Sequence, residues 1–129
     1  MKKFFLLCIT ILCITVSFTS AQDKSKKEKP KEVTITGQIT DVKCLLNGMS
    51  ESMGEDHKQC AVECIKNGLP VGILEDKTDK LYFVVPSKGM KPGNDELVKF
   101  ADQKVKLTGT MLEKNGVKMF AYTKVEETK

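Results

Sequence analysis

Hydrophobic and polar residues alternate strictly along two stretches of the chain, a pattern typical of strands with one buried face. In the first stretch the inward positions are Val33, Ile35, Gly37 and Ile39. In the second they are Val105, Leu107, Gly109 and Met111. A glycine on the inward side permits a bulge or a sharp bend, which small curled sheets require. The pattern therefore predicts two strongly bent strands of one small barrel.

Three further strands are predicted in the second half of the chain. Two apolar runs, 71–74 and 81–85, flank a polar turn at 75–80. The dipeptide Asn115-Gly116 favours a tight hairpin, because both residues tolerate a positive φ. Along the last strand we expect the inward positions to be Val117, Met119, Ala121 and Val125. In that phase three aromatic residues lie on the outer face of the barrel: Tyr82, Phe120 and Tyr122.

Two helices complete the predicted architecture. Glu55 and Gly68 mark the start and the stop of a helix of about ten residues, and Asn94 can cap a short helix before Asp102. The order is strand, excursion, strand, strand, short helix, strand, strand. This layout resembles the OB-fold, a small five-stranded Greek-key barrel. We therefore predict a mostly β protein with one or two short helices, its OB-like barrel spanning 33–126 and carrying an excursion at 41–70.

The N-terminal segment has the order of a secretory signal peptide. Lys2 and Lys3 precede an apolar run, 4–16, and small residues end at Ala21. This run is too short to span a membrane comfortably. We expect residues 1–21 to be removed, leaving a periplasmic or secreted protein with no transmembrane span. Residues 22–32 contain five lysines and no apolar side chain, which predicts a disordered linker.

Composition narrows the possible partners. The chain has 129 residues, 40% hydrophobic and 29% charged, which suits one domain. Its 21 basic residues are all lysine, against 17 acids. Loss of Lys2 and Lys3 leaves 19 lysines and a net charge of +2. Although OB-folds often bind oligonucleotides, an exported chain with no arginine and almost no net charge is a poor candidate. We expect no nucleic-acid partner; an outer aromatic face leaves a protein partner possible.

Cysteine content is the most informative feature. Cys8 and Cys13 lie in the predicted signal peptide, so three cysteines remain in the mature chain: Cys44, Cys60 and Cys64. An odd number of thiols in an oxidising compartment cannot all pair within one chain. All three lie in the excursion, together with the only histidine, His57.

The spacing of these residues predicts a metal site. Cys60 and Cys64 are four residues apart on the predicted helix, and His57 precedes Cys60 by three, so all three share one face. Cys44, at the end of the first strand, supplies the fourth group. Three thiolates and one imidazole form a tetrahedral set that suits zinc, and soft sulfur ligands also suit Cu(I). Methionines at helical spacing more commonly pack in cores, so we leave out the nearby Met49 and Met53.

A disulfide is the alternative. A bond from Cys44 to Cys60 or Cys64 would staple the excursion to the barrel, giving a non-catalytic binding module with a spare thiol. His57 would then be an ordinary surface residue. Redox catalysis is a weaker interpretation, because the cysteines have C-x3-C spacing rather than the C-x2-C of thioredoxin-like enzymes. We therefore expect no enzymatic activity.

The motif D-x2-C at Asp41 and Cys44, followed by H-x2-C-A-x2-C from His57 to Cys64, resembles that of small secreted bacterial OB-fold-like proteins of unknown function. The resemblance implies that Cys44, His57, Cys60 and Cys64 belong together, and it brings no activity. Asp41 could orient the histidine, although a turn residue at the strand end is the interpretation that we favour. The sequence thus predicts an exported protein that binds zinc or Cu(I) for trafficking, sensing or structure.

Overall fold

A computed structural model describes residues 31–48 and 55–128, without the side chains of residues 55 and 56. The predicted signal peptide, all of the linker up to residue 30, and Met49 and Met53 lie outside these residues. The elements in chain order are β1 (Glu32–Asp41), α1 (Val42–Leu46), α2 (Glu55–Lys66), β2 (Val71–Glu75), β3 (Leu81–Pro86), α3 (Asn94–Leu97) with a 3₁₀ turn (Val98–Phe100), β4 (Lys104–Lys114) and β5 (Val117–Glu127).

The five strands form a closed barrel in the order β1-β2-β3-β5-β4, with β4 pairing back to β1. The β3 and β5 strands pair in parallel, and every other pair is antiparallel. The predicted OB-like barrel is confirmed, and the described residues form three short α-helices rather than one or two. None of these helices has the length and apolar character needed to cross a membrane.

Each of the two inward glycines lies directly against the backbone of a neighbouring strand. A Cβ atom at Gly37 would collide with the carbonyl oxygen of Leu74, and one at Gly109 with the carbonyl oxygen of Ala121. A register shift between Thr108 and Gly109 accompanies the second contact. Both positions therefore require glycine, because the neighbouring backbone leaves no room for a side chain.

The phase predicted for the last strand is wrong as far as Tyr122, whereas Val125 packs against the core as predicted. Phe120 is fully buried and Tyr122 is 4% exposed, whereas Val117 is 53% exposed. Tyr82 on β3 is also buried, and Met111 lies outside the core at 42% exposure. A shift of one residue turns every side chain to the opposite face, and apolar residues occupy both phases of β3 and β5. The aromatic outer face expected from the sequence therefore does not exist.

The second helix packs against one end of the barrel. Ala61 and Ile65 of α2 are fully buried, and the helix contacts β1 and the 3₁₀ turn. Asn94 does not cap its own helix, which begins after Gly93. Its side-chain amide instead donates to the carbonyl oxygens of Ile65 and Leu69, each at 2.8 Å. Ile65 lies in the last turn of α2 and Leu69 lies just beyond its end, so these bonds hold the C-terminal end of α2 in place.

Tyr122 donates a hydrogen bond to Glu96 Oε2 at 2.7 Å. Burial and this carboxylate together raise the pKa of Tyr122 above its usual value near 10. A tyrosine whose folded-state pKa is raised contributes stability below its unfolded pKa and loses it as the pH rises above that value. We expect Tyr122→Phe to lower the free energy of unfolding by about 1 kcal/mol at neutral pH. Above pH ~10 the deficit should shrink by about 1.4 kcal/mol per pH unit.

Urea unfolding of both proteins between pH 7 and 11 measures this effect. Glu96→Gln is the matched control, because it keeps an acceptor oxygen and removes the charge, so its deficit should be smaller than that of Tyr122→Phe. A deficit for Tyr122→Phe that stays constant over the whole pH range would contradict the assignment.

Candidate metal centre

The end of β1 positions the first cysteine. Asp41 is fully buried, and its Oδ1 atom accepts a hydrogen bond from the backbone N–H of Cys44 at 2.8 Å. This is an N-cap, in which a carboxylate satisfies a free N–H of the first turn of α1. The backbone N–H of Val42 donates to the Pro70 carbonyl at 3.0 Å, which ties α1 to the end of the excursion. Cys44, 4% exposed, is thereby fixed beside the barrel end.

The second helix supplies the other predicted residues. Its buried side, formed by Ala61 and Ile65, faces the core. His57 is 6% exposed, Cys64 is half-buried and Cys60 is exposed. The three- and four-residue spacing therefore places all three side chains on one helical face, with the histidine the most buried and Cys60 the most exposed.

Five side chains come together in two overlapping sets. The first set contains Cys44, His57 and Cys60, and the second contains Asp41, Cys44 and Cys64. Within each set the potential ligand atoms all lie within 4.8 Å of one another. Two sulfur ligands of one zinc ion are at most about 4.6 Å apart, because each Zn–S bond is about 2.3 Å. The cluster could hold a metal ion with small adjustments, and Cys44 belongs to both sets.

The orientation of His57 depends on Asp102, a residue that the sequence analysis did not identify. His57 Nδ1 donates to Asp102 Oδ2 at 2.9 Å, and the Asp102 side chain is 1% exposed. Asp102 adopts a positive φ of 57°, and its backbone N–H donates to the Ile39 carbonyl at 2.8 Å. With a proton on Nδ1, the neutral imidazole carries its lone pair on Nε2. Metal-binding histidines are commonly held by a carboxylate in this way.

Two buried polar atoms lack partners among the described residues. His57 Nε2 and Asp41 Oδ2 are 4.0 Å apart, and neither makes a hydrogen bond there. Leaving a buried polar atom unpaired costs about 1–3 kcal/mol, so such atoms require an explanation. A cation bound between them would satisfy both, because each offers a lone pair. Asp41 is thus a strand-end residue, as favoured from the sequence, and its second oxygen also faces the cluster.

In the absence of a bound cation, the surroundings of Cys44 and Cys64 favour the protonated form of both thiols. Burial, followed by the hydrogen bond to Asp41, raises the pKa of Cys44 to about 12. Burial also raises the pKa of Cys64. A bound metal ion reverses this preference, because thiolate is the ligand form, and its binding releases the protons.

The disulfide interpretation gains no support from the geometry. All three cysteines of the described chain are free, and Cys44 Sγ lies 3.9 Å from Cys64 Sγ. A disulfide bond is about 2.05 Å long. That interpretation also places His57 at the surface, whereas the residue is buried.

Comparison with known proteins adds no assignment to this site. Neither a family model, nor a curated protein, nor a solved structure matches the chain. The roles of these side chains therefore follow from their chemistry and their geometry alone.

The Asp102 bond leads to a testable expectation for metal affinity. Asp102→Asn keeps the size of the side chain, but its amide can donate to Nδ1 and thereby move the ring proton to Nε2, where it blocks coordination. We expect zinc affinity to fall by about 10- to 100-fold, the usual effect of losing such a partner. Competition with a chromophoric chelator measures the dissociation constant.

Asp79→Asn is the matched control, because Asp79 also has a positive φ, 52°, and lies in an exposed turn. The zinc affinity of Asp79→Asn should equal that of the wild-type protein. Equal affinities for Asp102→Asn and Asp79→Asn would show that Asp102 does not position the histidine.

Proposed function

We propose that this is an exported protein that binds one zinc ion through Cys44, His57, Cys60 and Cys64. The observation that carries the proposal is the buried imidazole of His57, whose Nε2 atom has no partner and which has a ring nitrogen within 4.8 Å of the sulfurs of Cys44 and Cys60. The carboxylate of Asp102 holds the imidazole in the orientation that leaves this atom free.

Zinc suits this cluster better than Cu(I) does. Both ions accept thiolate and imidazole ligands. Zinc also accepts carboxylate oxygen, whereas Cu(I) favours soft donors. The unpartnered Oδ2 atom of Asp41, 4.0 Å from His57 Nε2, adds an oxygen donor that only zinc would use well.

We assign the protein to metal trafficking or sensing, or to a structural use of the ion, and not to catalysis. Export rests on the predicted signal peptide at 1–21. An ion in the cluster would join α1 to α2, the two helices of the excursion between β1 and β2. Binding free energy would then stabilise the excursion, because metal binding and folding are coupled when the ligands come from separate elements.

Metal analysis of protein purified without added chelator tests the proposal directly. We expect one zinc ion per chain and three thiols that become reactive after chelation. Metal-free protein with two of its cysteines disulfide-bonded would overturn the proposal in favour of the stapled module. One copper ion per chain would keep the ligand set and overturn the choice of metal.

The overlap of the two donor sets predicts an order of effects among the cysteines. Cys44→Ser damages both sets, whereas Cys60→Ser and Cys64→Ser each leave one set complete. We expect Cys44→Ser to weaken zinc binding by more than 100-fold, beyond the ~10- to 100-fold cost of losing an outer hydrogen-bond partner. The other two variants should retain measurable affinity.

Circular dichroism and thermal unfolding of each variant check that the barrel persists, since Cys44 is buried. Cys44→Ala provides a second variant without a buried hydroxyl group. An equal loss of zinc affinity in all three serine variants would contradict the special position of Cys44.

A further inference from the structure

The potential ligands differ sharply in their access to solvent. Asp41 is fully buried, and Cys44 and His57 are 4% and 6% exposed. Cys64 is half-buried, and Cys60 alone among the five is exposed. Structural zinc sites are closed, with no ligand position open to exchange. An exposed cysteine instead makes one ligand of this cluster accessible from solvent.

Other contacts hold the more buried ligands in place. Asp41 accepts the N–H of Cys44 at 2.8 Å, and Asp102 accepts the ring N–H of His57 at 2.9 Å. The Cys64 carbonyl accepts the N–H of Leu69 at 3.0 Å, at the helix end that Asn94 fixes. A bound metal ion would therefore have a rigid buried side, and Cys60 would be the ligand that a second molecule reaches most easily.

Three potential ligands other than Cys60 are close enough together to hold a metal ion on their own. Asp41, Cys44 and Cys64 form a complete donor set without it, and His57 Nε2 lies 4.0 Å from Asp41 Oδ2. An ion that loses the Cys60 sulfur can thus stay bound while one coordination position opens toward solvent. Such an open position is the structural requirement for ligand exchange at zinc.

From this arrangement, and on the premise of the proposed zinc site, we propose that the protein transfers its zinc to a thiol-bearing acceptor protein, with Cys60 as the ligand that is exchanged. In the first step the acceptor sulfur forms a bond to zinc and the bond from zinc to Cys60 Sγ breaks. The thiol proton of the acceptor passes to the Cys60 sulfur. Zinc stays divalent, no electron moves, and the acceptor replaces the inner ligands in later steps.

The rate law of zinc transfer tests this mechanism. The full exported chain is loaded with one zinc ion and mixed with increasing excess concentrations of a synthetic metal-free peptide that carries four cysteines. Transfer through exchange at Cys60 predicts an observed rate that rises in proportion to the peptide concentration. A rate that does not depend on the peptide concentration means that zinc leaves before the acceptor arrives, and it would overturn the proposal.

Pulse alkylation of the zinc-loaded chain identifies the exchanging ligand. Iodoacetamide, followed by peptide mapping, should label Cys60 at least about tenfold faster than Cys44 or Cys64, because only an accessible and released thiolate reacts. Equal labelling of Cys60 and Cys64 would overturn the role of Cys60.

The two proposals fail in different ways. A chain that takes up no zinc from buffer refutes the zinc site, and transfer with it. A chain that binds zinc but releases it at a rate independent of the acceptor refutes transfer alone.

Discussion

The carboxylate of Asp41 joins the barrel to the cluster, and much of the local structure depends on it. It ends β1, it is fully buried, and its two oxygens face in different directions. Oδ1 starts α1 and so places Cys44, while Oδ2 faces the imidazole of His57 at 4.0 Å. A buried carboxylate is costly unless positive charge or hydrogen bonds compensate it. The N-cap compensates one oxygen only, so the fold leaves the second oxygen where it could contact a cation.

The features that depend on residues close together in the sequence could be predicted. Alternation revealed the strands, the inward glycines mark close approach of neighbouring backbone, and three- and four-residue spacing placed His57, Cys60 and Cys64 on one helical face. Alternation could not predict which side chains of β5 point inward near Phe120, since Phe120 and Met119 are both apolar and a period of two does not choose between them. Asp102 could not be identified from the sequence for a different reason. It lies 45 residues from His57 in the chain, and only the folded protein brings the two side chains together.

Because these aromatic residues are buried, the end of the barrel is a better candidate for a ligand site than its wall. Tyr82, Phe120 and Tyr122 lie inside the barrel and do not form an outer aromatic surface on its wall. The connection between the first two strands is another place where OB-folds bind ligands, and here it holds the whole cluster. Such an analogy between folds indicates a location and not a function, which is why the ligand chemistry has to decide.

The uneven burial of three similar sulfurs is the feature that best separates a metal centre from a disulfide framework. A buried, protonated thiol reacts slowly with oxidants, because thiolate is the nucleophile, and the raised pKa of Cys44 therefore protects it from oxidation. Exposed Cys60 has no such protection from burial. A structural staple would gain nothing from this asymmetry, since a disulfide needs only two sulfurs within bonding reach. An ion that enters and leaves needs both kinds of ligand: sulfurs that are preserved until it arrives and one sulfur that solvent can reach.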